Sequence, residues 1–109
     1  MKATDLLIIL AETGLPVAYS HFVETNKTKV PDPPYIVYKE VDSDNMFADN
    51  IVYAQSLNYD VELYTNKKDP ASEALVEALF ERFELPFNSH EVWIDSEKMF
   101  QKTYELRLI

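Results

Sequence analysis

His21 and His90 are the first side chains to weigh for acid–base or metal chemistry. They lie far apart in sequence, with no ligand pattern around either, and read as ordinary sheet-edge or surface histidines. The chain has no cysteine, which excludes disulfides, thiolate metal sites and thiol catalysis. Its single glycine rules out phosphate-binding and dinucleotide-binding turns, which need glycine for close backbone approach. Asp42-Ser43-Asp44-Asn45 opens like a calcium loop, but Phe47 stands where glycine is required and Tyr53 where the bidentate glutamate should be. Ser43-Asp44-Asn45 also spells a β-lactamase tripeptide, without the nucleophile motif or Lys-Thr-Gly that must accompany it. Asn26-Lys27-Thr28 is a glycosylation sequon, which matters only on an exported chain. No catalytic residue, metal or cofactor is expected, and the chain reads as something other than an enzyme.

Charge says more than motifs do. The formal net charge of −9 makes the phosphate backbone and anionic membrane surfaces unfavourable partners. Acid is concentrated at Glu40, Asp42, Asp44, Asp49, Asp60 and Glu62, with no Lys or Arg among them. One reading is a solvated loop and sheet face. The other is a surface that meets a basic partner, or one that DNA must pass without adhering. The apolar run Leu6-Leu7-Ile8-Ile9-Leu10 is bracketed by Asp5 and Glu12 and is too short for a signal peptide or a membrane span. The protein is therefore expected to stay in the cytoplasm where it is made.

The elements that must position these residues are legible. A chain of 109 residues, 47% hydrophobic and 13% aromatic, is expected to be one folded domain over 1–109. Asp69 is a favoured N-cap with Pro70 at the first helical position, and Leu85-Pro86 stops the helix. At about 100° per residue, Leu75, Val76, Leu79 and Phe83 fall on one side and Glu73, Glu77, Glu81 and Glu84 on the other. Before it, Tyr53, Gln55, Leu57, Tyr59, Val61 and Leu63 alternate with polar residues, the mark of a strand buried on one face. That strand would span roughly 40 Å, so it must bend, carry a bulge or project.

Toward the N-terminus, Thr4 reads as the cap of a helix over 5–13, buried on more than one side and closed by Gly14. A strand is predicted over 17–23, a proline-containing loop over 24–34 and a strand over 35–41. The acidic segment 42–50 reads as a loop exposing Met46 and Phe47. After the second helix come a turn at Asn88-Ser89, strands over 90–95 and 100–109, and a short connection at 96–98; in the last strand Phe100, Lys102, Tyr104, Leu106 and Leu108 alternate with Gln101, Thr103, Glu105 and Arg107. The fold class is α+β: a mostly antiparallel sheet of about five strands with two helices packed on one face, in the order α-β-β-β-α-β-β.

An interface is the remaining expectation. The long strand should project near Asp49, Asn50 and Ile51, beside Met46 and Phe47, and unpaired edges with exposed apolar side chains attract partners. Trp93 lies on the strand face opposite Val92 and Ile94; if that pair faces the core, Trp93 is exposed and marks an interface. Met46, Phe47, Asp49, Asn50 and Trp93 are thus the candidate interface residues.

Several stretches resemble one family. PPYIVY at 33–38, Asp49-Asn50 before the long strand, VELYTNKKDPASEALVEAL at 61–79 and the closing WIDSEKMFQKTYEL are similar to the tail-completion (tail-terminator) proteins of long-tailed bacteriophages and Gram-positive prophages. The resemblance implies a structural protein that associates with itself in a ring, typically hexameric. Such a ring caps the tail tube at its head-proximal end and leaves a channel for DNA. It implies a tail-tube protein and a head–tail connector protein as partners, and the host cytoplasm and then the virion tail as locations. A head–tail connector or minor capsid protein, and an acidic DNA mimic that occupies a basic enzyme, are the alternatives.

Overall fold

The second helix, α2 (Pro70–Arg82), begins at the predicted cap. Asp69 Oδ1 accepts the Ser72 backbone N–H at 3.1 Å, and Oδ2 accepts the Ser72 hydroxyl at 2.8 Å. Those bonds favour the carboxylate and hold its pKa below the ordinary value. Asp69→Ala is expected to cost about 1 kcal/mol, read as a lower urea midpoint at unchanged m-value. The stability that Asp69 supplies should be present above its unfolded pKa and lost as pH falls through the lower folded one. The helix ends with the Leu85 N–H donating to Phe80 O at 2.7 Å and the Glu84 N–H to Glu81 O at 3.1 Å. Glu84 takes φ 54° there, the left-handed conformation that closes such a cap.

The computed structural model describes residues 3–26, 29–48 and 51–108, with residues 3, 43–48 and 51–56 described by their backbone alone. Chain order is α1 (Ala3–Ala11), β1 (Val17–Tyr19), β2 (Tyr35–Ala48), β3 (Ile51–Thr65), α2, β4 (Phe87–Ile94) and β5 (Met99–Leu108). The strands form one sheet in the order β1-β2-β3-β5-β4, with β1 parallel to β2 and every other pairing antiparallel. This is the predicted α+β class and element order.

Cross-strand partners share a face, so the register sorts the sheet. Ile36 and Tyr38 of β2, Tyr59, Val61 and Leu63 of β3, and Tyr104, Leu106 and Leu108 of β5 join one core with Leu6, Ile9, Leu10, Val76, Leu79 and Phe80 of the helices. Phe80, Phe87 and Tyr104 make three mutual ring contacts at 5.3–5.4 Å. The predicted alternation of the long strand and of the last strand holds along these rows.

The helix phase needs correction. Val76, Leu79 and Phe80 are buried and Phe83 is half-buried, but Leu75 is 47% exposed and Glu73 only 8% exposed. Two lysines account for the buried acid: Lys68 Nζ lies 2.9 Å from Glu73 Oε2 and Lys102 Nζ 3.4 Å from Oε1. The stripe turns toward Phe80, whose ring packs against Phe87 and Tyr104 at 5.4 Å each.

The first helix starts ahead of Thr4, which lies inside α1 instead of capping it. Gly14 closes its end at φ +79° as predicted, with the Thr13 hydroxyl donating to Leu10 O at 2.8 Å. Burial is confined to one side: Leu6, Ile9 and Leu10 face the core, while Leu7 and Ile8 are exposed. Through Leu6, Ile9 and Leu10 α1 joins the core formed by the sheet and α2.

The predicted strand over 17–23 shrinks to Val17–Tyr19. Ser20 turns the chain at φ 66°, and the His21 N–H donates to Tyr19 O at 2.7 Å. Phe22 then meets Tyr35 edge-on at 5.2 Å, on the sheet face away from the helices. Asn88 and Ser89, expected to turn, lie inside β4, paired with Glu105 and Tyr104.

The largest departure concerns 42–50. Residues 42–48 continue β2, in register with β3 from Asp42↔Asn58 to Ala48↔Ile51. Loop-favouring Asp, Ser and Asn are tolerated in this ladder because it runs beyond the body, where neither face must be apolar. Register shifts at 40/42 and 46/47 leave Val41 and Tyr53 as extra residues, so each strand carries a bulge. β5 reaches β3 only as far as Leu57↔Leu108. Among the described residues, 51–56 therefore pair with β2 alone and, with 44–48, form a two-stranded arm. The 15 residues of β3 would span about 50 Å, which matches the longest molecular dimension of 50 Å.

Candidate assembly surfaces

Three of the five candidate interface residues are placed, in two parts of the sheet. Met46 and Phe47 lie on β2 in the arm, at the register of Ala54 and Val52, and not in a loop. Asp49 and Asn50 lie outside the described residues. Trp93 sits on β4 at the other edge of the sheet.

Trp93 is 45% exposed, although the premise for expecting so was reversed. Val92 is itself exposed, and Trp93 shares the helix-side face with Phe87 and Phe100. It stays open because the buried core on that face stops short of it. Its ring stands edge-on to Phe100 at 4.8 Å, and Nε1 donates to Asp95 Oδ1 at 3.3 Å.

Away from the helices the sheet carries its charge in rows. Lys39, Asp60, Glu105 and Asn88 form one row across β2, β3, β5 and β4, with two carboxylates directly opposed. Asp60 has its pKa raised by burial first and then by Glu105 and Glu62, against smaller opposing effects of Lys39 and His90. In the next row the buried Glu62 is held by Lys39 Nζ at 3.3 Å and by the Tyr64 hydroxyl, which donates at 2.9 Å. Gln101 Nε2 in turn donates to the Tyr64 oxygen at 2.8 Å. Where the arm leaves the body, a cleft of about 570 Å³ is bounded by Asp42, Asn58, Asp60, Asn88, Glu105 and Arg107.

The sequence pointed to Asp42, Asp60 and Glu62 of this surface but missed Glu105, which only the β3–β5 register brings opposite Asp60. Alternation in the last strand was the available signal.

The two histidines are not brought together into a shared site. His90 is exposed, with Nδ1 at 3.7 Å from Glu105 Oε1, and His21 Nδ1 lies 3.2 Å from Ser20 Oγ. Among the described residues no three His, Asp or Glu side chains converge as metal ligands, and no helix is long and apolar enough to cross a membrane. Unpaired strand edge, exposed apolar side chains and an acidic sheet face are chemistry for association. No protein-family profile and no curated protein sequence matches this chain.

Proposed function

We propose that this protein is a non-catalytic assembly subunit of the tail-completion type, which closes into a ring on the end of a phage tail tube and joins it to the head connector. The observation that carries this reading is the arm. Among the described residues, 51–56 have a strand on one side only, so their other edge offers backbone donors and acceptors to a neighbour. A contact between that edge and a different surface of the next copy is head-to-tail, and such contacts repeat until a ring closes. The acidic sheet face and the net charge of −9 suit a subunit beside a DNA channel, because like charge keeps DNA from adhering. Resemblance of the 33–38, 61–79 and C-terminal stretches to tail-completion proteins supplies the identity of the tube and connector as partners.

Replacing residues 44–55 with a short turn tests the reading. The circular dichroism and unfolding midpoint of the body should persist, while closed oligomers disappear and tails grow to uncontrolled length in electron micrographs. Met46→Ser combined with Phe47→Ser should act in the same direction. Normal tails and an intact oligomer from the shortened chain would remove the arm from function. A filter-binding assay at low ionic strength should show no retention of duplex DNA, and tight retention would contradict the channel role.

A further inference from the structure

The other long edge of the sheet points to a second contact. β4 is an outer strand of eight residues, and all six between its terminal residues are exposed. Natural edges are blunted by lysine, proline, bulges or brevity. The opposite edge follows that rule, since β1 has three residues and lies between Pro16 and the left-handed Ser20. β4, FNSHEVWI, has no lysine, proline or glycine and pairs with β5 without a register shift.

We propose that β4 is a self-docking edge, along which two copies of this chain pair antiparallel about a two-fold axis perpendicular to the sheet and centred on His90.

The register follows from face and charge. Opposed residues in a continuous antiparallel sheet share a face, so the axis must pass through a residue and not between two. Axes through His90 or Glu91 retain the longest overlap of the strand. An axis through Glu91 opposes that carboxylate to its own symmetry mate, which is destabilising, and sets Trp93 against the second copy's Ser89. An axis through His90 sets Trp93 against the second copy's Phe87, Val92 against Asn88 and Glu91 against Ser89. Phe87 already belongs to the Phe80–Tyr104 cluster, and Trp93 already leans on Phe100. Docking therefore joins both aromatic groups across the boundary. Glu91 is compensated within its own chain by Lys68 at 3.0 Å, so it brings little uncompensated charge to the contact. Each copy carries a net charge of −9, and screening of that repulsion makes association tighten as salt rises. The contact is complete with two copies and uses a different edge from the arm, so it stands or falls separately from the ring.

The absence of native cysteine allows a direct test. Opposed residues in such a pair have Cα atoms about 4.5–5.5 Å apart, within disulfide range. The full-length His90→Cys chain should oxidise mostly to a covalent dimer, while Glu91→Cys and Val92→Cys, offset from the axis, stay largely monomeric on denaturing gels. Sedimentation of the wild-type chain should show a dimer that tightens with salt, and Trp93→Ala should weaken it by about tenfold. A monomer at high micromolar concentration would overturn the proposal, as would cross-linking of Glu91→Cys as fast as His90→Cys. An oligomer in which His90→Cys does not cross-link would overturn it equally.

Discussion

Phe80→Ala is expected to cost about 3–5 kcal/mol. The side chain is fully buried and touches the Phe87 and Tyr104 rings at 5.4 Å each. Truncation removes the hub that joins α2 to β4 and β5, and the aromatic walls left behind cannot collapse into the gap. A domain of this size has about 5–15 kcal/mol in total, so the variant should lose a large part of its stability. Leu75→Ala on the same helix is the control. Leu75 is 47% exposed, and its truncation should change stability by no more than about 0.5 kcal/mol. Urea unfolding of both variants measures the difference; equal costs would mean the helix packs in the phase its leucines alone imply.

Alkaline pH should unfold the protein steeply. Burial first, and then the charge and hydrogen bond of Glu77, push the Tyr104 phenol far above its ordinary value. Burial, followed by the charge of Glu62 and the hydrogen bond to it, does the same at Tyr64. Tyr35, Tyr38 and Tyr59 shift in the same direction, each with burial as the leading cause. Above a pH of about 10 an unfolded tyrosine releases its proton while folded Tyr104 and Tyr64 keep theirs, so stability falls by up to about 1.4 kcal/mol per pH unit for each of these two groups. The stabilising difference is fully present below the unfolded pKa and lost as pH climbs toward the folded one. Melting temperature should be flat through neutral pH and drop sharply above pH ~10. Tyr104→Phe should make that drop shallower, at the expense of the hydroxyl's 3.1 Å bond to Glu77. A flat alkaline limb would mean the phenols ionise freely in the folded protein.

Local signals were read correctly wherever one residue type settles the geometry. Asp69-Pro70 capped α2, Gly14 closed α1, and alternation in β3 and β5 gave the buried face. The errors arose where tertiary partners decide. Asp42 to Ala48 has loop composition but lies opposite a strand that supplies a ladder. Glu73 is buried because Lys68 and Lys102 come from other elements to meet it. Ile8 is apolar yet exposed, since no described residue covers that side of α1. The candidate surfaces were half legible for the same reason. An exposed Trp93 and a projecting end near residue 51 could be anticipated from pattern and length. The opposition of Asp60 to Glu105, and the position of β4 at the sheet edge, depend on strand order, which a list of strands does not contain.

The measurement that bears most directly on assembly is native mass spectrometry of the full chain, alone and mixed with a tail-tube protein. In the mixture the ring reading predicts one closed oligomer larger than a dimer, of fixed copy number, that binds the tube protein and is lost when residues 44–55 are replaced by a turn. A chain that remains monomer or dimer in every mixture, or that binds a basic nuclease one-to-one instead, would contradict it.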